Sequence, residues 1–341
     1  MTLRTMGCGW AGLLAIGLMA LGGPASAQDV AGDDGVGRDL TGVWTIRSLT
    51  PLERPAGETR PTLSEDEAQE REAAVAAGRR AANAPSDLKD NLLESGGAAV
   101  GGRNAFWNDP GNRMTRINGE ARTSAIVAPA DGRIPFSDRD KSTAVAQYMR
   151  RDYATDLGEL DGPEALPLRA QCLIGFGNTG GPGMAPVPYN STYRFVLTAD
   201  YLMILVEMVH DARIAPIFAS KSQAQASHRP DVITPWLGDS VAWWEDDTLV
   251  LETTNVHPKQ SLESSMPLSP EGKVIEKLRR VAADEILYTF EVDDPAHYSE
   301  PWIAEQVFTP GEGDVFEYAC HEGSYARDDI LAAARRAERK K

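Results

Sequence analysis

The chain has 341 residues, with 50 acidic and 34 basic side chains and a formal net charge of −16 at pH 7. A chain this acidic is repelled by nucleic acids and by anionic lipid surfaces, so we expect neither as a partner. Its length allows one large β domain or two smaller domains, each with an ample hydrophobic core.

The first 27 residues have the pattern of a secretory signal peptide. Arg4 supplies the positive n-region, residues 11–21 form a short apolar core, and residues 25–27 (Ala-Ser-Ala) form a cleavage site. The apolar core is too short to span a bilayer, and no later stretch approaches ~20 uncharged apolar residues. We therefore expect an exported, periplasmic protein without membrane insertion.

Two cysteines remain after cleavage, Cys172 and Cys320. In an oxidising compartment two thiols usually form a disulfide, and this one would close a loop of roughly 150 residues. The alternative is that Cys320, which His321 follows directly, is a reactive thiol or a metal ligand. Neither cysteine has a second partner at metal-site spacing, so the sequence favours the disulfide and predicts no metal site.

Helix signals occur in three places, and a small acidic stretch at 28–40 is the expected flexible lead-in. Ser64 with Glu67 three residues later forms a capping box, which predicts a helix over 64–82. A second helix is predicted over 138–153, and the tail at 328–341 has the pattern of a basic helix. We expect a single β-rich domain over 41–327, into which the first two helices are inserted.

The glycines at 175, 177 and 180 match the dinucleotide fingerprint G-x-G-x-x-G. That fingerprint requires the last glycine to open a helix whose N-terminus holds the pyrophosphate. Further glycines and the prolines Pro182, Pro186 and Pro188 follow here, so no helix can start. The sequence therefore predicts no nucleotide cofactor, and a loop that crosses the mouth of a sheet.

The remaining chain has the alternation of short β-strands. The predicted pairs and single strands are 193–198 with 201–209, 241–245 with 248–254, 274–283 with 286–292, then 301–308 and 315–320. Many short strands at hairpin spacing predict a mainly β fold, an antiparallel lipocalin-like barrel or a curved sandwich with peripheral helices. A closed barrel of eight or more strands can enclose a small ligand.

The main candidate catalytic residues lie at the end of the longest apolar run, 201–209, and directly after it. If 202–213 is one strand, His210 ends an apolar row on the cavity side, and Glu207, Asp211 and Arg213 share the opposite face. His210 is then a candidate general acid or base, with Glu207 or Asp211 beside it. The alternative is a core histidine hydrogen-bonded to backbone, with Asp211–Arg213 as an ion pair on the outer face.

Other residue types extend this candidate site. His321 is the next candidate acid or base, and no G-x-S-x-G elbow of a serine hydrolase occurs. Tryptophans are frequent in the second half of the chain and form either core or an aromatic wall for a flat ligand. The candidate substrate-binding residues are Arg213, Trp243, Trp244, Tyr189 and Arg169.

Several ordered motifs carry a resemblance. They are residues 206–214 (Val-Glu-Met-Val-His-Asp-Ala-Arg-Ile), 236–240 (Trp-Leu-Gly-Asp-Ser), 244–255 and 318–323 (Tyr-Ala-Cys-His-Glu-Gly). Together they resemble a family of exported proteins from Gram-negative soil and water bacteria, and Gly42-x-Trp44 resembles the first strand of lipocalin-type barrels. The resemblance implies an exported β protein and implies no reaction.

Two functions remain open from the sequence. The first is a cofactor-independent enzyme of the isomerase, lyase or hydrolase type that uses acid/base chemistry on a small apolar or aromatic molecule. The second is a lipocalin-like carrier that binds such a molecule without changing it. A structural envelope protein is a third reading, and it gives His210 and the tryptophans no purpose.

Overall fold

The computed structural model describes residues 37–82, 111–137, 160, 162–175, 177–260, 264, 266–323 and 325–340. The predicted signal peptide, most of the lead-in and the predicted helix at 138–153 lie outside these ranges. The helices are α1 (Glu65–Ala82), α2 (Lys221–Ala226) and α3 (Ala326–Glu338), with 3-10 turns at Pro163–Ala165 and Met208–His210. The strands are β1 (Gly42–Thr45), β2 (Thr62–Leu63), β3 (Arg116–Ile117), β4 (Glu120–Arg122), β5 (Ile126–Ala128), β6 (Thr192–Leu197), β7 (Tyr201–Val206), β8 (Ala212–Phe218), β9 (Asp239–Glu245), β10 (Thr248–Thr254), β11 (Lys273–Ala282), β12 (Glu285–Asp293) and β13 (Trp302–Pro310).

Nine strands of the described chain close into a barrel in the order β1-β6-β7-β8-β9-β10-β11-β12-β13, and β13 pairs back onto β1. Neighbouring strands are antiparallel except β8 and β9, which run parallel. β5 adds to β13, and β2, β4 and β3 form a small separate sheet. The predicted fold class, a mainly β lipocalin-like barrel with peripheral helices, is confirmed, and the parallel pair is its one departure from an antiparallel arrangement.

The barrel interior is filled with large side chains. Along β12 the alternate residues Ile286, Tyr288, Phe290 and Val292 are all buried, as period-two alternation predicts. Trp44 on β1 lies in the same core, donates its indole N–H to the Leu40 carbonyl and is covered by Arg280. The largest fully buried side chains are Trp302, Tyr193, Tyr288, Phe195, Phe290 and Phe308.

The prediction of one strand over 202–213 is wrong. β7 ends at Val206, and a turn closed by the Val206 N–H on the Asp211 carbonyl reverses the chain into β8. Because β8 is a new strand that begins after this turn, its inward-facing residues are not the ones that a single continuous strand would turn inward. Arg213 faces the interior with Ala215, whereas His210 is exposed in the turn. The predicted face assignment therefore fails for both residues.

The predicted strand at 315–320 is also absent, since all of these residues are described and none is in a strand. The pairing of β1 with β13 closes the ring, so this segment finds no free edge to join. It runs outside the barrel instead.

Two helices cover the outside of the barrel and sheet. In α1 the Ser64 N–H donates to Glu67, and the Glu67 N–H donates back to the Ser64 hydroxyl, which is the capping box. α2 covers the outer face of β9 and β10, where Ala224 packs with Trp243 and Val250. No helix among the described residues is long and apolar enough to cross a membrane.

Candidate functional site

A buried segment, residues 178–185, packs against inward-facing side chains of the barrel strands; we call it the plug. Every residue of the plug is buried. Gly181, with φ +78°, lies so close to the Arg213 guanidinium that an added Cβ would approach it to 2.7 Å. Residues 177–191 are all described and contain no helix, so the G-x-G-x-x-G match is a close-packed loop.

Inward-facing polar side chains hold the plug in place. Arg213 on β8 forms a bidentate ion pair with Glu276 on β11, at 2.5 and 2.8 Å, and both side chains are at most 3% exposed. Glu276 also accepts from the Tyr288 hydroxyl at 2.6 Å and from the Gly183 N–H at 3.2 Å. The Met184 N–H donates to the Tyr288 oxygen at 2.7 Å. Arg213 therefore does not pair with Asp211, contrary to the outer-face ion pair considered from the sequence.

The cysteines form the predicted disulfide, Cys172 to Cys320. It ties the loop before the plug to the segment that follows β13, over a sequence separation of 148 residues. Leu173 and Ile174 of that loop line an open cleft beside the barrel, and the next residue, Gly175, donates its N–H to Asp211 in that cleft.

The cleft has a volume of about 460 Å³ and lies beside the N-terminal ends of β8 and β9. These two strands are paired only near Ile217 and Phe218, so they separate toward the cleft. A volume of this size lies within the usual range for small-molecule sites. Its lining residues are Leu173, Ile174, Val209, His210, Asp211, Ala212, Arg213, Ile214, Arg229, Pro235, Trp236, Leu237, Gly238, Asp239 and Ser240.

Asp211 is the buried carboxylate of the cleft, with 8% of its surface exposed. Its Oδ2 accepts the Gly175 N–H at 2.7 Å. No described residue donates a hydrogen bond to Oδ1. This atom is not fully buried, so it is accessible from the cleft that Asp211 lines. Burial raises the pKa of this carboxyl from 3.8 to about 6, and the Gly175 N–H opposes that rise only in part.

His210 lines the same cleft from the exposed turn. Its Nε2 lies 2.9 Å from the Phe316 carbonyl and 3.1 Å from the Tyr318 N–H. One ring nitrogen cannot donate to the carbonyl and accept from the N–H at the same time, so the ring tautomer selects one of these bonds. His210 thus anchors the segment after β13, and only Nδ1 is left for a ligand.

The turn that carries Asp211 has an unusual backbone. Val209 and His210 have φ of 58° and 53°, the left-handed region that β-branched residues rarely adopt. Each such residue costs about 1–2 kcal/mol. The turn keeps this conformation because bonds on both sides fix it, including Glu207 N–H to Thr192 and Met208 N–H to Asn190. Strain of this kind is concentrated at functional sites.

The other predicted catalytic residues lie apart from Asp211. Glu207 is buried and accepts from Asn190 at 2.7 Å. His321 is exposed in a turn and makes no hydrogen bond or ion pair within the described chain. Neither residue lines the cleft, so the structure brings only His210 and Asp211 together there.

The predicted binding residues are divided among several places. Trp243 packs outward against α2, while Trp244 is partly buried at the main core with Arg38 over its ring. Tyr189 packs against the main core, and the Arg169 carbonyl lies beside Cys320. Of the predicted binding residues, only Arg213 lines the cleft, and its guanidinium is held by Glu276.

On the far wall of the cleft, Trp236 is one of the tryptophans considered from the sequence as an aromatic wall, whereas Arg229 was missed. Trp236 stacks on His257 with ring centres 4.1 Å apart, and Arg229 lies at the edge with its side chain 61% exposed. In the sequence, the motif at 236–240 indicates this wall, because it contains Trp236 and Asp239. No sequence pattern indicates Arg229.

A histidine with two acidic neighbours lies behind this wall. His228 Nδ1 is 2.9 Å from Asp239, and its Nε2 is 3.3 Å from Glu252. The two ring nitrogens point in opposite directions, so one ion cannot use both carboxylates together with the ring. No group of three or more His, Cys, Asp or Glu in the described ranges is arranged to hold a metal ion.

Comparison of the chain with protein-family models and with curated proteins finds no match.

Proposed function

We propose that this protein is an exported enzyme in which Asp211 transfers protons to and from a small, largely apolar molecule bound in the cleft. The observation that carries the proposal is the Asp211 carboxyl: it is buried, and within the described chain one N–H binds one of its oxygens and no donor binds the other. A carboxyl with a pKa of about 6 is close to the value that suits acid/base catalysis at neutral pH.

The direction of transfer follows from the same pKa. At pH 7 only roughly a tenth of the Asp211 side chains are protonated, so the resting group is a base. Oδ1 then accepts a proton from the substrate or from a water beside it, and the electron pair of the broken bond stays on the donor. Return of that proton at another atom gives isomerisation, and loss of a leaving group gives elimination.

His210 is the second group of the proposed site. Its Nε2 is engaged by the 316–318 backbone, so its contribution would be made through Nδ1. Export is supported by the N-terminal sequence pattern and by the disulfide, which belongs to oxidising compartments.

The test is mass spectrometry of an extract of apolar and aromatic metabolites after incubation with three proteins. These are the wild type, Asp211→Asn, and Asp246→Asn as a matched carboxyl-to-amide control in an exposed hairpin turn. We expect a compound that wild type and control consume, and that Asp211→Asn consumes ~10²-fold more slowly or worse. With Asp211 as base, the wild-type rate should rise with pH around a midpoint near 6.

A carrier gives a different result. A compound that all three proteins bind and return unchanged would show that the cleft binds without catalysis, and the proposal would be wrong. The same conclusion follows if Asp211→Asn consumes the compound at the wild-type rate.

A further inference from the structure

The charges of the cleft are not balanced evenly. Four ionic side chains line it besides His210. Arg213 is paired with Glu276, and Asp239 accepts the Arg229 N–H and lies beside His228, both within 2.9 Å. The Arg213 charge is therefore compensated inside the protein, and Asp239 has hydrogen-bonding partners besides the Arg229 guanidinium.

Arg229 is the exception at the edge of the cleft. Its side chain is 61% exposed, and its ion pair with Asp239 joins only Nε, at 3.4 Å. Within the described chain no partner binds its terminal guanidinium nitrogens. A guanidinium with two free N–H groups on one edge is suited to a planar carboxylate, which it binds through two parallel hydrogen bonds.

Two aromatic rings form the wall beside Arg229. Trp236 is stacked on His257, whose pKa is lowered by burial and by Lys259, so the stacked ring is neutral at neutral pH. Leu173 and Ile214 line the same cleft and are 41% and 61% exposed, so their apolar surfaces are accessible to a ligand. An aromatic or alicyclic body fits between these surfaces.

We infer that the substrate is a small aromatic or alicyclic carboxylic acid, with its carboxylate on Arg229 and its apolar body between Trp236 and Ile214. This inference rests on the proposed function for the reaction, while the binding mode is independent of it. A single negative charge is the expected limit, because one guanidinium, already shared with Asp239 through Nε, lines a cleft that also contains Asp211. A phosphate ester, with two charges, would leave one uncompensated.

Binding is measured by calorimetry on the mature protein with matched probes. They are benzoate, phenylacetate and 3-phenylpropanoate, the three corresponding alcohols, and propanoate and inorganic phosphate as charges without an aromatic body. We expect at least one aromatic carboxylate to bind about tenfold or more tightly than its alcohol, and propanoate and phosphate to bind more weakly still.

Three variants assign the contacts. Arg229→Gln should remove the preference for carboxylate over alcohol, while Arg133→Gln, an exposed arginine outside the cleft lining, should leave it unchanged. Trp236→Leu should weaken the acid and the alcohol alike. A preference that survives Arg229→Gln, or a panel in which no aromatic carboxylate binds, overturns the inference.

Failure of the proposed function would look different. Asp211→Asn should still bind the carboxylate through Arg229. If wild type binds it in an Arg229-dependent way and never converts any acid of this class, the binding inference stands and the enzymatic proposal fails. If a substrate is converted at the same rate by wild type and Arg229→Gln, the enzymatic proposal stands and the binding inference fails.

Discussion

Two buried carboxylates, Glu276 and Asp211, show how the same chemical group serves two purposes in one barrel. Glu276 is 1% exposed and accepts four hydrogen bonds, from the Arg213 guanidinium, the Tyr288 hydroxyl and the Gly183 N–H. Asp211 is 8% exposed and accepts one, from Gly175. No counter-ion faces Asp211 among the described residues, and its second oxygen is open.

The difference separates a structural group from a chemical one. A fully hydrogen-bonded carboxylate beside a guanidinium holds its neighbours in place, so Glu276 fixes the plug. A desolvated carboxylate with one donor retains a raised pKa and a free lone pair, so Asp211 can exchange a proton. Glu276 stabilises the fold, whereas the charge on Asp211 opposes it.

The largest effect that separates the two sites is expected from the disulfide. Cys172→Ser with Cys320→Ser should lower the free energy of unfolding by up to about 5 kcal/mol, since the closed loop spans 148 residues. In the wild type the disulfide fixes the loop that contains Gly175, the hydrogen-bond donor to Asp211. The disulfide is not attached to the plug. Hydrogen exchange should therefore speed up more at residues 173–175, which lose their tether, than at Gly183 and Met184, where only the lower global stability acts. Equal loss of protection at both places would show that the disulfide does not support the Asp211 site more than the plug.

Glu276→Gln should cost about 3–5 kcal/mol of unfolding free energy, because it leaves the buried Arg213 charge uncompensated. Chemical denaturation measures this cost. The exposed Glu285→Gln on β12 is the matched control and should change stability by less than ~0.5 kcal/mol. Adding Arg213→Met to Glu276→Gln should recover part of the loss, and a double variant less stable than Glu276→Gln would contradict the ion-pair explanation.

Most of the barrel could be predicted from the sequence because its strands obey local rules. The alternation along β12 identifies its inward face, and the Asp246-Asp247 turn joins β9 to β10 as a tight hairpin. The capping box at Ser64 sets the start of α1. In each case the signal lies within about ten residues of the feature that it predicts.

The candidate site depends on contacts that local patterns do not contain. The apolar run at 201–209 continues past the true end of β7, and no pattern marks Val209 and His210 as left-handed. The donor to Asp211 comes from Gly175, and the partner of Arg213 comes from Glu276, 63 residues away. The sequence therefore identified Asp211 and His210 as candidates and assigned them the wrong neighbours.

The third prediction uses pH to identify the charge on Asp211. The folded carboxyl, with a pKa near 6, binds its proton more tightly than the unfolded one, near 3.8. Its contribution to stability is therefore fully present below pH 3.8 and is lost as the pH rises through 6. Asp211→Asn has no such loss, so it should match wild type at pH 3–4 and exceed it by roughly 3 kcal/mol at pH 7.

Denaturant titrations of both proteins across this pH range measure that difference. Asp246→Asn, in the exposed turn, should show no comparable change with pH. A constant difference between wild type and Asp211→Asn from pH 4 to pH 7 would mean that the Asp211 carboxyl is not desolvated.

The smallest expected effect concerns the backbone that presents Asp211. Val209→Asn should gain up to ~1 kcal/mol in backbone conformation, because asparagine adopts the left-handed conformation more readily than valine, and it loses part of this gain because the Val209 side chain packs against the main core. Asp246→Gly, at φ 49° in the β9–β10 turn, should gain a similar amount. Only the first substitution lies in the cleft lining, so only Val209→Asn should also lower turnover, because it relieves the strain of the turn that presents Asp211 and places a polar amide in the lining. Equal turnover in the two variants would show that the strain in this turn belongs to the fold, as Glu276 does, and has no part in the chemistry.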